Sequence, residues 1–280
     1  MSVVLNKEQL NIIHQKSVEM LEVFKAFCDE NNLLFYFCGG CCIGAVREGG
    51  FLAWDDDADV FMPREDYEKL FTLWKDTPRY ALLRTTKDRF VGITNATLVD
   101  KSSTLVSAQQ AGLNIPHGIK LDIFPLDGCK TGIKRKMQKI HGLLFCLYVS
   151  RVVPKNHGKL VELAGRFLLK IRSEKGKTKA WQKAEKKMSS LSIKDASHIT
   201  ELTAGPRYAG IEYPKEIFAS AKTVPFENTK MPVPVGYDTY LKMAFGDYMT
   251  PPPPDARMPE HEVYFVDLDL PCDNYKGDLK

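Results

Sequence analysis

Residues 51–63 read FLAWDDDADVFMP, and the fold turns on why so many acids stand between apolar neighbours. Phe51 to Trp54 precede them and Val60 to Met62 follow, so the flanks read as interior while Asp55, Asp56, Asp57 and Asp59 carry charge. On an extended strand alternate residues share a face, which puts Asp55, Asp57 and Asp59 together and turns Ala58, Val60 and Met62 the other way. Carboxylates about 7 Å apart repel by roughly 2 kcal/mol per pair at an effective dielectric near 20. A solvated turn relieves that repulsion, and so does a divalent cation between the oxygens. The apolar flanks favour the cation.

An EF-hand loop does not fit, because Val60 stands where the sharp turn needs Gly, Pro63 interrupts the loop and Asp66 replaces the bidentate Glu. Hard carboxylate ligands on a strand suit Mg²⁺, or Mn²⁺ in its place, held together with substrate phosphates. Gly39-Gly40, entering a short helix, offers exposed backbone N–H groups as a phosphate cradle nearby. A third carboxylate is Asp122 in HGIKLDIFPLDG, residues 117–128. It interrupts a strand-like stretch and can complete the metal site or take a proton from an attacking hydroxyl.

Outward from this motif, Leu10, Ile13, Leu21, Phe24 and Cys28 recur at helical spacing and predict an amphipathic helix over 7–30. Leu33 to Cys38 predicts a buried strand, and Cys41 to Glu48 a short helix capped by Gly49 or Gly50. Pro63 takes the first helical position before a helix over 64–75. Strands are expected at 80–85, 93–99, 103–106, 119–124 and 222–226, a helix at 237–245, and an extended run at Pro251 to Pro254.

Bulk composition is that of a soluble globular protein, with 44% hydrophobic and 26% charged residues in 280. The start, MSVVLNKEQL, lacks an export pattern, and the apolar run 142–149 is far short of the roughly 20 residues of a membrane span. The seven cysteines fit a reducing compartment, and the Cys38/Cys41/Cys42 cluster has no second pair at zinc-finger spacing. A cytoplasmic protein is expected.

The net charge of +4 is unevenly spread: residues 131–190 hold sixteen Lys/Arg against three Asp/Glu, a balance of +13, and the rest sums to −9. Helical patterns there, such as Leu160, Leu163, Phe167, Leu168 and Ile171, are broken by Pro154 and by residues 173–178. This predicts a basic helical insertion at 129–195, between a core at 1–128 and a carboxy-terminal part at 196–280 that completes the core. Basic helices with apolar stripes would hold the chain against anionic lipid at the inner membrane surface. Nucleic acid is not an expected partner, because the block has no reading motif and few aromatics for base stacking.

A Gly-Gly turn into a helix, Asp-x-Asp on one strand and a single Asp on a later one resemble the nucleotidyltransferase fold of the polymerase beta superfamily. That fold is an α+β arrangement, a mixed sheet flanked by helices. More specifically, FCGGCCIGAVREGGFLAWDDDADVFMPREDYEKL, beginning at Phe37, is similar to the opening block of the LicD family of phosphocholine transferases, to which fukutin-type proteins are related. Residues 95–106, 117–128 and 223–254 are similar to later blocks in the same order.

The resemblance implies transfer of a phospho-alcohol from a CDP-alcohol donor such as CDP-choline to a hydroxyl of a glycan or lipid-linked glycan, with CMP leaving. It assigns Mg²⁺ to Asp57 and Asp59, with Asp122 as third carboxylate and Asp55 as a further candidate. Arg47 and Lys101 are candidates for holding the pyrophosphate, and Trp54 or Tyr36 for facing a quaternary ammonium. Two positions depart from the family pattern: Cys41 stands where a small hydroxyl residue is usual, and Glu48 where His is usual. The residues alone leave open nucleotidyl transfer at the same site and a non-catalytic glycan- or nucleotide-binding protein.

Overall fold

The computed structural model describes residues 3–153, 159–259 and 261–277. In chain order the first elements are α1 (Lys7–Glu30), β1 (Tyr36–Phe37), α2 (Gly39–Arg47), β2 (Ala58–Pro63), α3 (Arg64–Leu73), β3 (Tyr80–Leu83), β4 (Ala96–Asp100), β5 (Thr104–Ser107) and β6 (Ile119–Gly128). Then come α4 (Gly132–Ser150), α5 (Lys159–Lys170), α6 (Glu174–Met188), β7 (His198–Glu201) and β8 (Tyr213–Pro214). β9 (Ala221–Phe226), β10 (Thr229–Pro234), α7 (Tyr237–Phe245) and β11 (Val263–Asp267) follow, so the fold is α+β as expected.

The chain divides into two compact units. One comprises Met1–Leu83, Ala96–Phe124 and Glu216–Lys280, the other Arg84–Asn95 and Pro125–Lys215. The second unit thus takes residues 84–95, 125–128 and 196–215, which the sequence places with the core and the carboxy-terminal part.

In the first unit the strands run in the order β1-β2-β6-β4-β3. Tyr36 stands opposite Phe61, Ala96 opposite Ile123 and Tyr80 opposite Asp100, each in antiparallel register. α1 is closed at its start by a reciprocal cap: the Gln9 N–H donates to Asn6 Oδ1 at 2.9 Å and the Asn6 N–H to Gln9 Oε1 at 3.0 Å. Such a cap contributes about 1 kcal/mol. The helix buries Leu10, Ile13, Leu21, Phe24 and Cys28, the face that the periodicity predicts.

Phe226, at the end of β9, locks the segments on either side of α2. Its ring meets Phe37 at 4.7 Å and Phe51 at 4.8 Å, both edge to face, and Glu227 Oε1 accepts the Phe51 N–H at 2.9 Å. His14 stacks on the far side of Phe51 at 4.5 Å and donates from Nε2 to the Asp55 carbonyl at 2.7 Å. The acidic stretch therefore starts from a fixed point in the core.

Several expectations shift at their edges. α2 begins at Gly39 rather than Cys41, and Pro63 is the cap of α3 rather than its first residue. β2 begins only at Ala58, because the Asp55 N–H closes a turn on the Leu52 carbonyl at 2.9 Å, so Asp55 to Asp57 precede the strand. Pro253 is extended (φ −52°, ψ 149°), but Pro254 opens a single 3₁₀ turn.

In the second unit Leu126 pairs with Glu201 and Ile199 with Tyr213. α4 and α6 enclose a core of Phe145, Tyr148, Val149, Trp181, Ala184, Met188 and Leu202. Arg135 is not a solvated cation of the basic block: it is buried, donating to Glu212, Thr200 and the Ala209 carbonyl. Residues 173–178 do not break a helix; Ser173 starts one, its Oγ accepting the Gly176 N–H at 3.2 Å. Pro154 lies outside the described residues.

Candidate active site

β2 and β6 are neighbours in the sheet, and that adjacency joins the two acidic segments of the sequence. Asp57, just before β2, Asp59 on it and Asp122 on β6 bring one carboxylate oxygen each within 4.8 Å of the others. Asp57, at the bend before the strand, and Asp59 on it are half-buried, while Val60 and Met62 lie in the core. Asp122 stands opposite Thr97 of β4, and its Oδ1 is buried without a hydrogen-bond partner. A buried acceptor left unsatisfied costs about 1–3 kcal/mol, more when charged. Three oxygen donors with such an atom among them fit a hard divalent cation.

Asp55 is not part of this trio. Its carboxylate lies against α2, where a Cβ on Gly40 would stand 2.3 Å from Asp55 Oδ2. Gly39 has φ +50°, and a Cβ there would meet Asp59 Oδ2 at 3.4 Å. The two glycines seat carboxylates at the start of α2, and the Gly39 N–H donates to the Tyr240 hydroxyl at 3.0 Å. Cys41, the departure from the family pattern, is buried and accepts the Asp59 N–H on its sulfur at 3.3 Å, so it positions that acid. Burial, with Asp55 and Asp59 alongside, pushes its thiol pKa far up.

The expected pyrophosphate cations have partners outside the trio. Arg47 ends α2, about 12 Å along its axis from Gly39, donating to the Tyr248 carbonyl at 2.7 Å and to Glu48 at 2.8 Å. Lys101 follows β4, four residues past the Thr97 that faces Asp122, with Asp273 3.9 Å from its ammonium. Lys120 is the cation that accompanies the acids. It precedes Asp122 by two on β6 and so shares its face; burial lowers its pKa, while Asp122 and Asp57 raise it. Its ammonium donates to Gln110.

His261 also belongs here and carries no signal in the sequence. Asp56 accepts its Nδ1 at 2.9 Å and its backbone N–H at 3.3 Å, leaving Nε2 3.6 Å from Asp57 Oδ2. Asp56, Asp57 and His261 form a second cluster of potential ligands that shares Asp57 with the first. The hydrogen bond from Asp56 raises the imidazole pKa to about 9 against the opposing effect of burial, with Asp57 adding to the rise.

The aromatic candidates separate. Tyr36 is fully buried and donates to the Phe218 carbonyl at 2.5 Å, so it belongs to the core. Trp54 is half-buried with the Arg257 guanidinium over its ring, 5.5 Å from the centroid.

Residues 32–141 match the family model for the LicD/FKTN/FKRP nucleotidyltransferase domain. That segment holds the glycine turn, Asp57, Asp59, Lys120 and Asp122, but not His261. Over 263 residues, 89% of this chain and 95% of the other, the sequence is 27% identical to the lipopolysaccharide cholinephosphotransferase LicD of Haemophilus influenzae. The clustered acids thus lie inside the segment that matches the LicD-type domain, and the similarity to the Haemophilus LicD protein extends over most of the chain.

Proposed function

We propose that this protein is a phosphotransferase that moves phosphocholine, or a similar phospho-alcohol, from a CDP-alcohol to a hydroxyl of a lipopolysaccharide-type glycan, releasing CMP. The observation that carries the reading is the convergence of Asp57, Asp59 and Asp122 from two segments, with Lys120 on the same strand face as Asp122. We further assign the first unit to the nucleotidyltransferase-like architecture of the polymerase beta superfamily, on the order of its motif elements.

Asp57, Asp59 and Asp122 would hold Mg²⁺, and the same oxygens accept Mn²⁺. Bound there, the ion would supply charge neutralisation on the diphosphate and favour CMP as the leaving group. The acceptor oxygen attacks the distal phosphorus, the bond from that phosphorus to the bridging oxygen breaks, and CMP departs with the electron pair. Asp122 would also accept the proton of the attacking hydroxyl. Lys120 supplies fixed positive charge beside the diphosphate, a role that sequence reading gave to Arg47 and Lys101. Trp54 offers its face to the quaternary ammonium, the place where a guanidinium now rests.

The test is incubation of the purified protein with CDP-choline, lipopolysaccharide and Mg²⁺, following CMP by chromatography and acceptor mass by spectrometry. Metal-dependent CMP release with phosphocholine on the acceptor is expected, and Asp57→Ala should abolish both while keeping the fold. Pyrophosphate release with a nucleotidylated acceptor would show attack at the inner phosphorus instead.

A further inference from the structure

We propose that α4 and α5 form a docking surface for an anionic lipid bilayer, with both helices lying in the headgroup plane. α5 has two apolar sides. Leu168 and Leu169 pack against the core of the second unit, and Gly165 lies against Val153. Leu160, Leu163, Phe167 and Ile171, at positions i, i+3, i+7 and i+11, form a separate stripe that faces solvent, Leu160 being 84% exposed. α4 repeats the arrangement over its first three turns with Ile133, Met137, Ile140 and Leu143, Ile133 being 78% exposed. Isolated surface apolar residues are ordinary, whereas contiguous stripes mark a surface that is covered in use.

Charge identifies what covers it. Lys159, Arg166 and Lys170 each precede a stripe residue of α5 by one position, and Lys136 and Lys139 do the same for Met137 and Ile140. One step along a helix is a rotation of about 100°, so a basic edge borders each apolar stripe. The acid on that edge of α5, Glu162, is already paired with Arg166. Apolar side chains entering the acyl boundary while Lys and Arg meet headgroup phosphates is the pattern of an interfacial helix. A second copy of this chain would bring the same Lys and Arg edges against these ones and be repelled. Among the described residues no helix is long and apolar enough to cross a membrane, so contact is in-plane. The inference does not depend on the reaction proposed above.

Flotation of the full chain with phosphatidylcholine vesicles, with and without phosphatidylglycerol, tests it. Binding to the anionic vesicles should exceed binding to neutral ones by about tenfold or more at low salt, each nearby basic residue contributing, and should fall at high salt. Leu160→Ser combined with Phe167→Ser and Ile171→Ser should lower binding about tenfold or more, with thermal unfolding unchanged because these side chains are exposed. Lys159→Gln with Arg166→Gln and Lys170→Gln should remove the preference for anionic lipid while leaving the stripe intact. No binding of the wild-type chain to anionic vesicles, or binding by both variants equal to that of the wild type, overturns the proposal. So does a wild-type dimer in light scattering that the serine substitutions dissociate, since the stripe would then join two copies. None of these readings requires turnover, so they stand or fall separately from the proposed activity.

Discussion

Asp56 holds His261 by two hydrogen bonds across 205 positions of sequence, ring Nδ1 at 2.9 Å and backbone N–H at 3.3 Å, so that the other ring nitrogen faces Asp57. A carboxylate fixing one nitrogen of an imidazole while the other is presented to a cation is the usual support of a metal-ligating histidine. Loss of such support costs roughly tenfold to a hundredfold in metal affinity. Asp56→Asn should therefore weaken Mn²⁺ binding by at least about tenfold, measured by calorimetry on the purified protein, and His261→Ala should weaken it at least as much. Unchanged affinity in both variants would remove His261 from the site and leave Asp57, Asp59 and Asp122 alone there.

Lys120 and Lys101 are separable by kinetics. Lys120 shares the face of Asp122 and is half-buried, whereas Lys101 is tied at its backbone to Arg79 and Cys272, beyond the end of β4. Lys120→Met should lower kcat/KM for a CDP-alcohol by about a hundredfold or more, the scale of removing one preorganised charge that faces the reacting group. Lys101→Met should change it by less than about threefold, as for a loose ion pair, here with Asp273 at 3.9 Å. The opposite ranking would restore the sequence-based assignment.

Trp54 distinguishes donor alcohols. A cation over an indole face contributes about 0.5–2 kcal/mol, so Trp54→Leu should raise KM for CDP-choline by about threefold to thirtyfold. KM for a CDP-linked polyol without a quaternary ammonium should stay within about twofold. Equal effects on both donors would show that Trp54 shapes the pocket and does not read the charge. Arg257→Ala, which clears the ring face, should not raise KM for CDP-choline.

Much of the site was legible because strand periodicity is a local rule. Asp57 and Asp59 alternate with buried Val60 and Met62, and Asp122 stands out as a charge in a strand-like stretch. The same rule applied to Lys120, two positions before Asp122, would have found the accompanying cation. Alternation alone groups Asp55 with Asp57 and Asp59, but the turn closed by the Asp55 N–H on Leu52 interrupts it, and no spacing reveals where a strand begins. His261 was illegible for another reason: its neighbours carry no pattern, and only the tertiary fold brings it to Asp56. For α5 the spacing of apolar residues predicts the helix, but periodicity does not say which stripe faces protein and which faces solvent.

Glu201 gives the second unit a pH dependence of its own. It sits on β7 opposite Leu126, buried, and desolvation raises its carboxyl pKa from 4.5 to about 8. Because the folded value exceeds the unfolded one, the folded chain binds the extra proton between these pH values, and stability must fall as pH rises through that window. The stabilising contribution is whole below about pH 4.5 and lost by about pH 8. Within the window the slope is about 1.4 kcal/mol per pH unit, the free energy equivalent of one proton. Glu201→Gln keeps the shape and removes the titration, so chemical denaturation at pH 5 through 8 should show wild-type stability declining relative to the variant at roughly that slope. Parallel curves would mean that Glu201 stays charged in the fold and finds a partner there.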